Sequence, residues 1–194
     1  MHASLLSLLL APLALASPIL SRADKQTCFS TTSAVKSWEL KSFDFHANYI
    51  FSTPSHQNSW GYVSFVLENA ILGTKTKCEA SSSSLNDFFY GDVDYQCEAP
   101  KGDVPKDEPR LSQTTFRFDR PGGEVQVAQR WYCFDDPQYP STITAKGGES
   151  VKLDCEETYT ENSNWTIGEI YSQRDITCGI VDLTVPVKEI SAVA

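Results

Sequence analysis

The chain has 194 residues and a formal net charge of −9, from 25 acids against 16 lysines and arginines. Its bases are scattered and its acids come in pairs such as Asp135-Asp136 and Glu156-Glu157, a distribution that disfavours nucleic acid and anionic membrane surfaces as partners. No Gly-x-Ser-x-Gly, His-Glu-x-x-His or glycine-rich phosphate loop occurs, so motif-bearing hydrolases and nucleotide binders carry little weight.

The chain opens on an apolar stretch, Leu5 to Leu15, that ends in Ala14-Leu15-Ala16. This is too short to cross about 30 Å of hydrocarbon, and its small residues suit signal peptidase. Residues 1–16 are therefore predicted to be a signal peptide, with the boundary as late as about residue 20, and the protein to be extracellular. The remainder, residues 25–190, is long enough to bury one core without a metal or a partner.

Taken in order, the elements are strands. Trp38 and Leu40 share one face while Phe43 and Phe45 share the other, which predicts a β-bulge near Lys41. Trp60 to Leu67 is apolar on both parities, the pattern of a strand covered on both faces. Ser81 to Ser84 and Pro100 to Pro109 read as solvated loops, the latter as a flexible insertion. Pro121-Gly122-Gly123 lies between Phe116-Phe118 and Val125-Val127, and Gly147-Gly148 between Ile143 and Val151; both read as hairpin turns. Val125, Val127, Trp131 and Cys133 alternate cleanly, as do Val151, Leu153, Cys155 and Tyr159, and Val181, Leu183, Val185 and Val187. A second parity change, from Trp165 and Ile167 to Ile170, predicts another bulge at Gly168. Bulges let a sheet curl over its own core, so the expected architecture is all-β: one antiparallel β-barrel or a strongly curled sandwich.

Six cysteines, Cys28, Cys78, Cys97, Cys133, Cys155 and Cys178, all follow the proposed cleavage point. An even count in a secreted chain reads as disulfides, and no close pair suggests zinc or thiol exchange. Fifteen pairings are open on the sequence alone. Asn164-Trp165-Thr166 is an N-glycosylation acceptor in a polar turn. Only His46 and His56 follow the signal segment; His46 with Asp44 or Glu68 is the one candidate proton-transfer pair, in the manner of a secreted ribonuclease, and acid pairs leave a glycosidase open. Against both stands the plain reading of a surface imidazole and solvated acids. Asp92/Asp94 and Asp135/Asp136 carry oxygen ligands for calcium but no EF-hand spacing. No catalytic residue, cofactor or metal is assigned. The surplus aromatics, Trp60, Phe88-Phe89-Tyr90 and Trp131-Tyr132, either pack the barrel ends or form a binding surface.

The motif order adds a resemblance. Cys28 followed by Ser37-Trp38-Glu39-Leu40 and Phe43, then Val63-Ser64-Phe65 with Asn69, Cys78, Tyr95-Gln96-Cys97, Phe116-Arg117-Phe118-Asp119, and Cys178 with the strand Val181 to Val187 resembles the fungal Alternaria major-allergen-like family. That resemblance implies a secreted fungal β-barrel without established enzymatic activity, acting as an allergen, elicitor or effector that binds a plant host protein or a small phenolic ligand. It implies a Cys78–Cys97 bridge, and a second bridge joining Cys133 to Cys178, Cys155 to Cys178, or Cys133 to Cys155. It matches Cys28 to a cysteine that can join two subunits, but the sixth cysteine offers an intramolecular partner, so a monomer or a non-covalent dimer is expected. A wall-associated structural protein is the third class of function left open.

Overall fold

The computed structural model describes residues 27–99 and 110–193. The predicted signal segment and the Pro100–Pro109 stretch, read as a flexible insertion, lie outside those residues. Among the described residues, one short helix, α1 (Cys28–Thr32), precedes ten strands: β1 (Ser37–Thr53), β2 (His56–Asn69), β3 (Thr74–Ser82), β4 (Tyr95–Gln96), β5 (Arg110–Asp119), β6 (Glu124–Cys133), β7 (Ser141–Ser150), β8 (Cys155–Glu161), β9 (Ser172–Cys178) and β10 (Val181–Val193). They pair antiparallel in the order β3-β2-β1-β10-β7-β6-β5-β4, a nearly closed barrel.

The barrel curls because β1 changes neighbours along its length. Its first half pairs with β10, and its second half, from His46 to Phe51, pairs with β9. The register shifts between Leu40 and Phe43, where the parity of the sequence also changes. Ser42 there has φ 55°, and its N–H donates to the Asp182 carboxylate at 2.8 Å, fixing the bulge from β10. β9 then carries β8 outward as a flap.

The two sheet edges, β3 and β4, meet at a seam. Only one backbone hydrogen bond crosses it among the described residues, Glu98 N–H to the Lys77 carbonyl at 2.8 Å, so the Cys78–Cys97 disulfide beside it supplies the covalent closure. Inside, Phe43, Phe65, Phe116 and Phe118 form one aromatic stack, with Phe65 and Phe116 edge-on at 4.9 Å. Gln129 is fully buried; its Oε1 accepts from Trp38 Nε1 at 2.9 Å and from Asn69 Nδ2 at 2.8 Å, tying β1, β2 and β6 across the interior.

Each barrel end is filled. At one, α1 is anchored by the Cys28–Cys133 disulfide and by Trp131 Nε1 donating to Thr32 Oγ1. A Thr27–Ser30 capping box starts this helix, a local signal the strand-dominated reading passed over. At the other, Phe88 and Phe89 are buried, Phe88 against Tyr49 and Phe89 against Phe45, Tyr95 and Phe118.

Several expectations need correction. Gly147 and Gly148 lie inside β7, opposite Val127 and Gln126, not in a turn. A Cβ on Gly147 would fall 2.1 Å from the Pro186 carbonyl oxygen, so glycine is there for the close approach of β10. Gly168 belongs to the loop joining β8 to β9 rather than to a bulge; Trp165 folds back there, donating from Nε1 to the Glu169 carbonyl. Val151 and Leu153 lie between β7 and β8, outside either strand, and every residue of β8 is exposed, because the flap has left the core. Ser81 and Ser82 finish β3 instead of opening a loop. Finally, β2 is covered on one face only: Trp60 and Tyr62 point outward and are 40% and 41% exposed.

Candidate binding surface

The outward residues of β3, β2, β1, β9 and β8 form a five-stranded face whose rows follow from the register. One row runs Ser81, Tyr62, His46, Thr177, Glu156; the next runs Trp60, Asn48, Asp175, Thr158. His46 and Tyr62 stack with ring centroids 5.1 Å apart, and Nδ1 of His46 lies 3.1 Å from Asp44 Oδ2. Asn48 Nδ2 donates to Asp175 Oδ1, and Gln173 Nε2 donates to both oxygens of the same carboxylate. Tyr62 is thus held against His46, which Asp44 in turn holds, and this lowers the entropy lost when a partner orders that ring.

Of the candidate proton-transfer groups, only one pair comes together. His46 meets Asp44, but Glu68 stands opposite Glu39 and binds Lys75 Nζ at 2.6 Å. His56 pairs with Thr53 at the far end of the ladder, seven residues along β1 from His46, or about 23 Å. Its Nδ1 lies 2.8 Å from Ser52 Oγ. The acid pairs have structural work. Asp135 accepts from the N–H groups of Cys28 and Phe29, both at 2.9 Å, capping α1. Asp136 accepts from Gln138 N–H at 2.8 Å in the following turn. Asp94 is gripped by Arg117 through two hydrogen bonds of 2.7 Å, and that guanidinium holds its carboxyl below the usual aspartate range. No group of three His, Cys, Asp or Glu able to hold a metal is found among the described residues.

The disulfides pair Cys28 with Cys133, Cys78 with Cys97 and Cys155 with Cys178. Cys133 therefore joins neither Cys178 nor Cys155, and Cys28 has its partner within the chain. Asn164 is exposed in the β8–β9 loop. Of the surplus aromatics, Phe88, Phe89 and Trp131 are core, Tyr90 and Tyr132 are partly exposed, and Trp60 stands outward on β2, where Tyr62, which the sequence did not single out, stands beside it. Asn48 and Asp175, 127 positions apart, were missed. Strand alternation marks each as outward, but only register brings them together.

A small antiparallel barrel, closed by three disulfides and plugged at both ends by its own side chains, defines a stapled scaffold that offers its outside, compatible with life outside the cell. Residues 40–178 match the family described as Alternaria alternata allergen 1, and the chain belongs to that family. The matched span contains the aromatic face and the seam; α1, Cys28 and all of β10 lie beyond it. No curated protein and no solved structure gives a match.

Proposed function

We propose that this protein is a secreted, non-catalytic fungal binding protein of the allergen and effector kind, and that it engages a plant host protein through Trp60, Tyr62 and His46. The observation that carries the reading is the pair of exposed rings, Trp60 and Tyr62, at successive outward positions of β2 within the five-stranded face. An open sheet face suits a macromolecule better than a small phenolic ligand, which buries most of its surface in a concavity. The family is not a known enzyme family, which agrees with action by binding.

The test compares the oxidised protein with a Trp60→Ala/Tyr62→Ala variant, each immobilised and exposed to plant apoplastic fluid. A protein retained by the first and lost by the second, then shown to bind as the purified pair, supports the reading; identical retention by both refutes it. Quenching of Trp60 fluorescence by a phenolic compound, abolished in Trp60→Ala, would replace the protein partner with the small ligand. The Asp44–His46 contact is the specific observation behind the hydrolase alternative. A turnover on RNA or a glycan that His46→Ala abolishes would promote it. Glycosylation at Asn164 belongs to the same secreted reading, and a mass shift lost in Asn164→Gln is its check.

A further inference from the structure

The flap made by β8 and β9 leaves one strand edge open. Gly179 N–H donates to the Asp154 carbonyl at 2.8 Å and Asn162 N–H to the Tyr171 carbonyl at 2.9 Å, and these two bonds fix the phase of the ladder between them. In an antiparallel pair the backbone groups of alternate residues point to opposite sides. Glu156, Thr158 and Thr160 therefore turn theirs toward β9. Glu157, Tyr159 and Glu161 turn theirs outward, where no strand pairs with β8 among the described residues. Every residue of β8 is exposed, so this row of donors and acceptors faces solvent.

The usual protections of such an edge are a bulge, a proline or a lysine, and β8 has none of them: its register with β9 runs unbroken from Cys155 to Glu161. The strand is also held in place. The Cys155–Cys178 disulfide ties one end, and Arg174 grips Glu157 through bonds of 2.8 and 2.7 Å while lying 4.9 Å over the Tyr49 ring. A preformed edge loses little entropy when a strand is added to it.

Charge selects the occupant. The segment from Cys155 to Cys178 carries five acids against one base, Arg174, which Glu157 already holds. Glu161 accepts from the neutral hydroxyls of Tyr159 at 3.0 Å and Tyr171 at 2.9 Å, and Glu156 makes no ion pair among the described residues, so both carboxylates keep their charge beside the edge. A second copy fits badly: two β8 edges paired antiparallel about Tyr159 set Glu157 opposite Glu161 twice, and like charges directly opposed destabilise a ladder. At the Glu161 end a shallow concavity of about 290 Å³, walled by Ile170 and Tyr171, has room for the stem of a long side chain.

We infer that the outer edge of β8 is a strand-addition site for an extended basic segment of a partner protein, bonded through the backbone of Glu157, Tyr159 and Glu161 and selected by Glu156 and Glu161. This edge lies three strands from β2, about 14 Å, and does not depend on Trp60 and Tyr62.

The experiment is an NMR titration of the oxidised protein with the acetylated, amidated peptide Thr-Lys-Thr-Val-Thr-Thr-Lys-Thr. Its lysines fall opposite Glu161 and Glu156 when its valine pairs antiparallel with Tyr159. Binding is expected to weaken as salt rises and to slow amide exchange at Glu157, Tyr159 and Glu161, the outward donors, with little change at Thr158 and Thr160, which β9 already protects. A peptide with glutamate in place of both lysines, and one N-methylated at the valine, are each expected to bind at least about tenfold more weakly, the first for lost charge pairing and the second for a lost backbone bond. Tyr159→Pro removes an outward N–H and no bond to β9, so it should weaken the basic peptide about tenfold or more, whereas Tyr159→Val, which keeps the N–H, should cost about fivefold at most. The Trp60→Ala/Tyr62→Ala variant should bind the peptide unchanged, so failure of the edge and failure of the aromatic face are separable. No binding of the basic peptide, or equal binding of the acidic or the N-methylated one, would overturn the assignment. Self-association of the protein that Tyr159→Pro abolishes would also overturn it, giving the edge to a second copy.

Discussion

Gly61→Ala tests whether the aromatic plug is as tightly seated as the structure places it. Gly61 faces inward on β2, and a Cβ there would fall 2.5 Å from Phe88 Cγ and 2.7 Å from its Cβ and Cδ2. Ordinary carbon contact is about 3.5–4.0 Å, so the ring must retreat by about 1 Å. It has little freedom to do so: Phe88 is 1% exposed, its ring lies 5.0 Å from that of Tyr49, its carbonyl accepts from Ser82 Oγ at 2.6 Å, and its φ is already 67°. Overpacking ordinarily costs about 1–3 kcal/mol, and unseating a core phenylalanine about 3–5 kcal/mol. A loss of about 3 kcal/mol is expected, equivalent to a Tm about 6–12 °C lower for a domain of this size. Urea unfolding with disulfides intact, followed by tryptophan fluorescence, measures it. In a Phe88→Gly background the bump is gone, and the same substitution should be neutral or stabilising by about 0.5–1 kcal/mol, because alanine suits a strand better than glycine. A cost below about 0.5 kcal/mol in the native background, or an equal cost in both, would refute the packing argument.

Gln129→Leu should destabilise by about 3 kcal/mol or more, since it leaves the buried Trp38 and Asn69 donors without their acceptor; a neutral effect in urea unfolding would contradict the network. Thr76→Val should do the reverse, raising stability by about 1 kcal/mol, because the Thr76 hydroxyl is buried without a protein partner. Replacing Cys78 and Cys97 together by serine removes the covalent tie across the seam and a loop constraint worth about 3 kcal/mol on the chain-entropy model. Amide exchange at Glu98 should accelerate first, while exchange in β6 and β7 follows the global stability. Asp182 is held below the usual aspartate range first by the Ser42 N–H and then by Lys41. Its lowered folded pKa means that the contribution is fully present above the unfolded value of about 3.9 and is lost as pH falls through the folded value. The Ser42 amide resonance should therefore titrate below pH 3.9 or so, and in Asp182→Asn it should not titrate there.

What the sequence reveals about this fold is whatever lies within a few residues of itself. The bulge at Ser42 is legible because Trp38, Leu40, Phe43 and Phe45 record the parity change locally. The hairpin at Pro121-Gly122-Gly123 is legible because its turn residues stand between alternating strands. Gly147-Gly148 misleads by the same logic: nothing near it indicates that Pro186, 39 positions on, approaches too closely for a side chain. β8 misleads because alternation reports what a strand prefers, and a flap on one side of β9 leaves that preference unused. The aromatic surplus was legible, but not its division, since Phe88 and Trp60 differ only in where the chain returns.

The neighbours of β1 also set an order of events. Its first strand partner, β2, is made immediately, yet its other side waits for β9 and β10, with Glu39 meeting Thr184 and His46 meeting Thr177. Cys78–Cys97 and Cys155–Cys178 span 19 and 23 positions, short enough to close while the chain is still being delivered, whereas Cys28–Cys133 spans 105. The barrel cannot be completed until β10 joins β1 to β7, so its folding is expected to be slow and dominated by non-local contacts. During that interval the outward rings of β2 and the unpaired edge of β1 lie open to other chains. A protein proposed to act through its outer surface must first keep that surface to itself.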